Sequence, residues 1–258
     1  MAKRPISVCL TFCLAIFGLV AGSCDSSYAG SSFELVPSSL ELTPSGAGAT
    51  RSFTVKSNGD EPVAVQVVVV KRQMAIDGTE TYGEEDEDFL VYPPQMIVSP
   101  GQQQMVRVTW LGNDSPEKEL SYRAIFEQLP INLTTISSGN DSGIEAIVSV
   151  TLTYKATIYV IPNGASADVV LIGAESQKDD LGNDLLVLNF LNRGTAHKLL
   201  TGLVVNLTSE GKTITLNKDE QLKGVSGENI LAGNKRRFVL PWPKELPVGP
   251  VTATFTTN

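Results

Sequence analysis

Side chains able to do chemistry are scarce in this chain. His197 is the single histidine, and the three cysteines, Cys9, Cys13 and Cys24, all lie at the N-terminal end. A zinc site or an activated nucleophile needs several such groups converging. A lone imidazole without thiols reads instead as a strand-end residue. Serine and threonine are abundant, but no Gly-x-Ser-x-Gly elbow is present, which argues against a hydrolase. The run Glu84-Glu85-Asp86-Glu87-Asp88 offers the oxygens a hard cation wants, without the spacing of an EF-hand loop, and reads as a solvated hairpin tip. Lys235-Arg236-Arg237 beside Asn234 places three cations at a turn, as a solvated strand start does. No P-loop pattern occurs. No catalytic residue, metal, cofactor or nucleotide is therefore assigned, and the chain is not expected to be an enzyme.

Recognition is the chemistry that remains, and it points to Ile144–Pro162. On a strand, side chains alternate between faces. Ile144, Ala146, Val148, Val150 and Leu152 then fall on one side, while Glu145, Ser149, Thr151 and Thr153 fall on the other, with Ile147 breaking the polar row. Such an apolar row needs cover, either from a second sheet of the same chain or from another chain. Periodicity alone does not choose between a central sandwich strand and an exposed donor strand.

The remaining sequence limits the setting. Lys3 and Arg4 precede a mostly apolar run, Ile6–Val20, and Ser27-Tyr28-Ala29 fits a small-x-small cleavage site. A signal peptide over residues 1–29, removed near Ala29, is expected. Ala21-Gly22-Ser23 before Cys24 lacks the large apolar residue of a lipoprotein signal, which favours simple secretion. Cleavage there removes every cysteine, so the mature domains must be held by packing without disulfides. The net charge of −8 becomes −9 once two cations and one anion leave with the signal, which argues against nucleic acid as a partner.

Short alternating or β-branched runs follow: Phe33–Thr43, Thr50–Ser57, Val63–Gln73, Phe89–Tyr92, Gln103–Trp110, Leu120–Leu129 and Ile144–Ile161. Turn signals separate them at Pro44-Ser45-Gly46, Asn58-Gly59-Asp60, Asp77-Gly78 and Pro100-Gly101. The pattern predicts an immunoglobulin-like sandwich over residues 30–163. After Pro162-Asn163-Gly164 it begins again, with strands at Val169–Gly173, Leu185–Asn192, Gly202–Leu207, Lys212–Leu216, Arg236–Leu240 and Val251–Thr256. A smaller β-sandwich over residues 164–258 is expected. The fold class is all-β: two sandwiches joined by a short linker, with a cleft between them.

Several of these residues carry a resemblance. Pro93-Pro94, Pro100-Gly101, Val106-Arg107, the segment Tyr122–Pro130 (Y-R-A-I-F-E-Q-L-P) and the long strand ending at Pro162 together resemble the PapD-like periplasmic chaperones of the chaperone and usher pathway. In the second domain the resemblance rests on Leu188-Asn189, Gly194-Thr195 and Lys235-Arg236-Arg237-Phe238. It implies a periplasmic chaperone that binds pilus or fimbrial subunits, helps them fold and delivers them to an outer-membrane usher. The last strand of domain one would lend its apolar row, Ile144, Ala146, Val148, Val150 and Leu152, to a subunit lacking a strand.

The family also holds the subunit's terminal carboxylate with an Arg on the first strand and a Lys on the last. Here the first strand has neither, and Thr157 stands at the Lys position. Arg123 and Lys155 are the nearest substitutes. Arg107 matches a family Arg in an internal ion pair, with Glu119 at its partner's place. A self-capping dimer is a further candidate partner. The competing reading is a self-contained secreted adhesion or structural module whose last strand is covered on both faces.

Overall fold

The computed structural model describes residues 31–130 and 151–258. The described residues of the first unit form ten strands: β1 (Phe33–Val36), β2 (Ser39–Leu42), β3 (Thr50–Ser57), β4 (Val63–Met74), β5 (Glu80–Glu85), β6 (Phe89–Tyr92), β7 (Gln95–Val98), β8 (Gln103–Trp110), β9 (Leu120–Leu129) and β10 (Thr153–Val160). One sheet orders β1-β3-β8-β6, and the other orders β2-β10-β9-β4-β5 with β7 added on β4. Alternation sends Phe53 and Val55, Val65, Val67 and Val69, Val106 and Val108, Phe126, and Ile158 and Val160 into one shared core. At its centre the rings of Phe53 and Phe126 meet edge to face, 5.2 Å apart.

Phe33–Thr43 reads as one strand but forms two. Pro37 has no N–H to give a ladder, and at Pro37-Ser38 the chain passes from β1 in the first sheet to β2 in the second. There β2 runs parallel to β10, pairing Ser39–Leu42 with Thr157–Val160. On its other side β10 is antiparallel to β9 along its whole length, from Thr153 opposite Glu127 to Val160 opposite Leu120. Between Thr153 and Ala156, therefore, no described strand pairs with the second edge of β10.

The second unit contains β11 (Val169–Lys178), β12 (Asp184–Asn192), β13 (Lys198–Leu199), β14 (Val204–Ser209), β15 (Lys212–Leu216), β16 (Asn229–Ile230), β17 (Lys235–Pro241) and β18 (Val251–Thr256). Sheets β11-β12-β17 and β15-β14-β18, with the pair β13-β16, enclose a separate core that includes Leu186, Leu188, Phe190, Leu207, Phe238 and Trp242. The all-β, two-sandwich expectation is met.

The entry to this second unit is tied by one buried amide. The Asn192 side chain accepts from the backbone N–H of Asp168 (3.1 Å) and of Gly194 (2.9 Å), and donates to the carbonyls of Ala196 and Ile230. Gly194 has to be glycine at this knot, because a Cβ would run into the backbone of Ser166, Ala167 and Asp168. Gly194→Ala is expected to destabilise the second unit by about 1–3 kcal/mol, read as a lower denaturant midpoint for Trp242 fluorescence.

Candidate functional site

β4 is a run of valines that ends in Lys71-Arg72. Its odd-numbered valines fill the core, which puts Val70 and Arg72 on the opposite face. Arg72 is nonetheless buried, its side chain only 2 % exposed. A guanidinium in that position must find partners within the protein. Its Nε and Nη2 donate to the Ser121 hydroxyl at 3.0 and 2.5 Å, Nη2 reaches the Tyr159 hydroxyl at 3.4 Å, and Nη1 donates to Glu80 Oε1 at 3.1 Å.

Glu80 is the first residue of β5, just beyond the Asp77-Gly78 turn, and it is shared. Arg123 on β9 grips the same carboxylate with both prongs, Nε to Oε2 at 2.9 Å and Nη2 to Oε1 at 2.7 Å. Tyr82 donates its hydroxyl to Oε2 at 2.9 Å. Burial alone pushes the Glu80 carboxyl up, yet the hydrogen bonds from Arg123 and Tyr82 and the charges of Arg123 and Arg72 prevail and hold it below its ordinary 4.5. Burial likewise works against the Arg123 cation, and Glu80 outweighs that by raising its pKa.

Arg123 and Thr157 face each other directly across β9 and β10, and Arg123 Nη1 donates to the Thr157 hydroxyl. One pleat upstream Lys155 shares this face, exposed, with its ammonium 4.7 Å from the centre of the Tyr82 ring. The two residues read from the sequence as carboxylate-anchor candidates thus stand beside Thr157 on adjoining strands. Arg72, Glu80 and Tyr82 complete the cluster and were missed. Their signal was available: Asp77-Gly78 marks a hairpin, and counting outward from it brings Arg72 and Glu80 near each other.

Toward the second unit, this face ends at Tyr159. His197 stacks on its ring, 3.9 Å between centroids and 9° from parallel, and Asn229 donates to its hydroxyl at 2.6 Å. The Glu119 carboxylate, its side chain 1 % exposed, lies 2.7 Å from His197 Nδ1 and accepts the His197 backbone N–H at 3.0 Å. The β4–β5 hairpin adds further bridges. Arg237 N–H donates to the Ile76 carbonyl at 2.7 Å, Asn234 donates to the Met74 carbonyl, and a Cβ on Gly78 (φ +91°) would strike the Arg236 guanidinium. A cavity of about 330 Å³, lined by Arg72, Met74, Lys118, Ser121 and Asn234 among others, opens between the units.

Of the apolar row, Ile144, Ala146, Val148 and Val150 lie outside the described residues. Leu152 is half-buried against the first core. Its row continues into the buried Ala156, Ile158 and Val160, opposite in face to Lys155 and Thr157. The expected Arg107–Glu119 ion pair is not formed. Arg107 is exposed on β8 in the other sheet, and Glu119 is committed to His197. His197, read as a bland strand end, is the interdomain contact in that pair's place.

Two outcomes follow from this geometry. Glu119→Ala removes the acceptor of two His197 bonds and is expected to cost roughly 1.5–3 kcal/mol, with the two units melting further apart in calorimetry. Because Glu80 is depressed in the folded chain, its contribution to stability is complete above 4.5 and lost as pH falls through its lower folded value. Glu80→Gln is therefore expected to lower the thermal midpoint at neutral pH, and the gap from the parent should close in acid.

Residues 35–164, half of the chain, match the family described as pili and flagellar-assembly chaperone, PapD N-terminal domain. No curated protein matches the sequence. Among solved structures, a chain of the CsuC–CsuE chaperone–tip adhesion subunit pre-assembly complex, from the archaic chaperone-usher Csu pili of Acinetobacter baumannii, is 18% identical. Its TM-score is 0.54, with 83% of this chain and 89% of that one covered. The E. coli chaperone DraB is 19% identical at a TM-score of 0.50, with 86% and 87% covered. A chain of a chaperone–tip adhesin complex of CFA/I fimbriae biogenesis is 16% identical at 0.50, with 87% and 98% covered. These likenesses show the two-domain fold, and the match over residues 35–164 places the sequence: the chain belongs to the PapD family of pili and flagellar-assembly chaperones.

Proposed function

We propose that this chain is a periplasmic, non-enzymatic chaperone that captures pilus or fimbrial subunits by donating the last strand of its first domain, and passes them to an outer-membrane usher. The observation that carries this reading is the family match over residues 35–164, which includes the whole of that strand. The state of β10 agrees with it. Its Thr157–Val160 half is laddered on both sides, while among the described residues Thr153–Ala156 is laddered only to β9. An edge of this kind accepts a further strand through main-chain hydrogen bonds.

In this reading Ile144, Ala146, Val148, Val150 and Leu152 fill the gap in an incomplete subunit. Each large aliphatic side chain fully buried contributes about 1.5–3 kcal/mol, and each ladder bond about 0.5–1.5 net. Exchange of one donated strand for another, driven by completion of the subunit's fold, needs no nucleotide. Arg123 and Lys155 receive the subunit's terminal carboxylate beside Thr157, where Arg supplies a planar fork and Lys a point charge. The first 29 residues act as the export signal, residues 30–163 carry the donor strand, and residues 164–258 form the second wall of the cleft.

Co-expression with the secreted proteins encoded beside it is expected to yield a complex with a small β-subunit. Val148→Asp combined with Val150→Asp should release that subunit while leaving the thermal midpoint of the chaperone near the parent's. If the double variant unfolds instead, the row belongs to the chain's own core and the proposal fails.

A further inference from the structure

The Arg72–Arg123 cluster has the form of a carboxylate receptor that is already full. A carboxylate held by both prongs of one guanidinium, by a second guanidinium and by a tyrosine hydroxyl has every donor that an incoming carboxylate would need. The occupant is this chain's own Glu80. We propose that Glu80 is a resident stand-in, and that the Arg123 fork is an exchangeable carboxylate site whose outside ligand is a peptide's terminal carboxylate. The inference rests on the chaperone reading above and adds a control to it: the anchor is self-occupied when no subunit is bound.

Three features of the cluster favour exchange over a fixed strut. First, Glu80 sits on β5, which among the described residues pairs only with β4 and is exposed along most of its length, so the carboxylate can leave without breaking into either core. Second, the cations outnumber the anion. Arg72 and Arg123 both bond the one carboxylate, and the Lys155 ammonium stands over the Tyr82 ring, whose hydroxyl also donates to it. That local excess of positive charge favours the approach of a second carboxylate. Third, Arg123 already extends Nη1 to Thr157 on β10, the strand along which a captured chain would lie. Its fork is thus shared between a resident acid on one side and the donor strand on the other.

Chemical rescue tests this. Glu80→Ala removes the resident carboxylate, and acetate is the probe. Acetate is expected to raise the thermal midpoint of Glu80→Ala in a saturable manner, with half-effect at a concentration about tenfold or more below that at which it affects the parent, the size expected for hydrogen bonds to charged groups. Chloride at equal ionic strength and acetamide should not reproduce the effect. If Glu80→Ala does not fold, Glu80→Gln carries the same titration, followed through the Arg123 Nε–H resonance. Acetate acting no better than chloride, or equally on variant and parent, overturns the proposal. Subunit capture by the parent separates the two levels. Normal capture without acetate rescue sinks only the role given to Glu80, whereas a parent that captures nothing sinks the chaperone reading.

Discussion

A positive charge that cannot reach water governs much of this structure. Arg72 closes a run of valines in the middle of a sheet, and its burial obliges neighbouring elements to supply oxygen atoms. Ser121 and Tyr159 answer from β9 and β10, but among the described residues only Glu80 brings a countercharge, and that draws the β4–β5 hairpin back over the face of the sheet. The same hairpin then meets the second unit through Met74, Ile76 and Gly78. The neutralisation of one side chain is thereby coupled to how the two sandwiches meet.

The two faces of β10 divide the work. Even-numbered residues continue an apolar row that serves packing, and odd-numbered residues present Lys155, Thr157 and Tyr159 to the polar cluster and the second unit. Separation of this kind follows from the two-residue period of a strand. It lets a chain keep its hydrophobic contacts and its charged contacts on one element without burying an unpaired ion. His197 stacked flat on Tyr159, with Glu119 holding its ring and backbone, marks where the polar face becomes a domain contact.

Most strands were legible because their signal is local. Alternation in β3, β8 and β9, and the turns at Asp77-Gly78 and Pro100-Gly101, required nothing beyond neighbouring residues. β5 and β7 were not read: Glu80–Glu85 is acidic and exposed, and Gln95–Val98 follows directly on Pro93-Pro94, so neither shows a clear apolar row. Pro37 is the one sign within Phe33–Thr43 that the chain changes sheets. In the site, Lys155 was accessible by counting pleats back from Pro162, and Arg123 as the basic residue of the preceding strand. Glu119 was assigned to Arg107 by family pattern, and its true partner, His197, lies 78 residues away in the other sandwich. Contacts between domains leave no periodic trace in sequence, and that is where the reading stopped.

The ladders on β10 act together as a ruler. Eight residues matched to β9 and four to β2 leave the strand no freedom to slide, since a slip of one residue would turn the buried Ile158 and Val160 outward and Thr157 inward. Every position along it therefore stands at a set distance from the Arg123 fork. A chain laid against Thr153–Ala156 as proposed, with its terminal carboxylate at that fork, would be measured from that point, so its length from terminus to first apolar contact, as well as its hydrophobicity, would decide whether it fits.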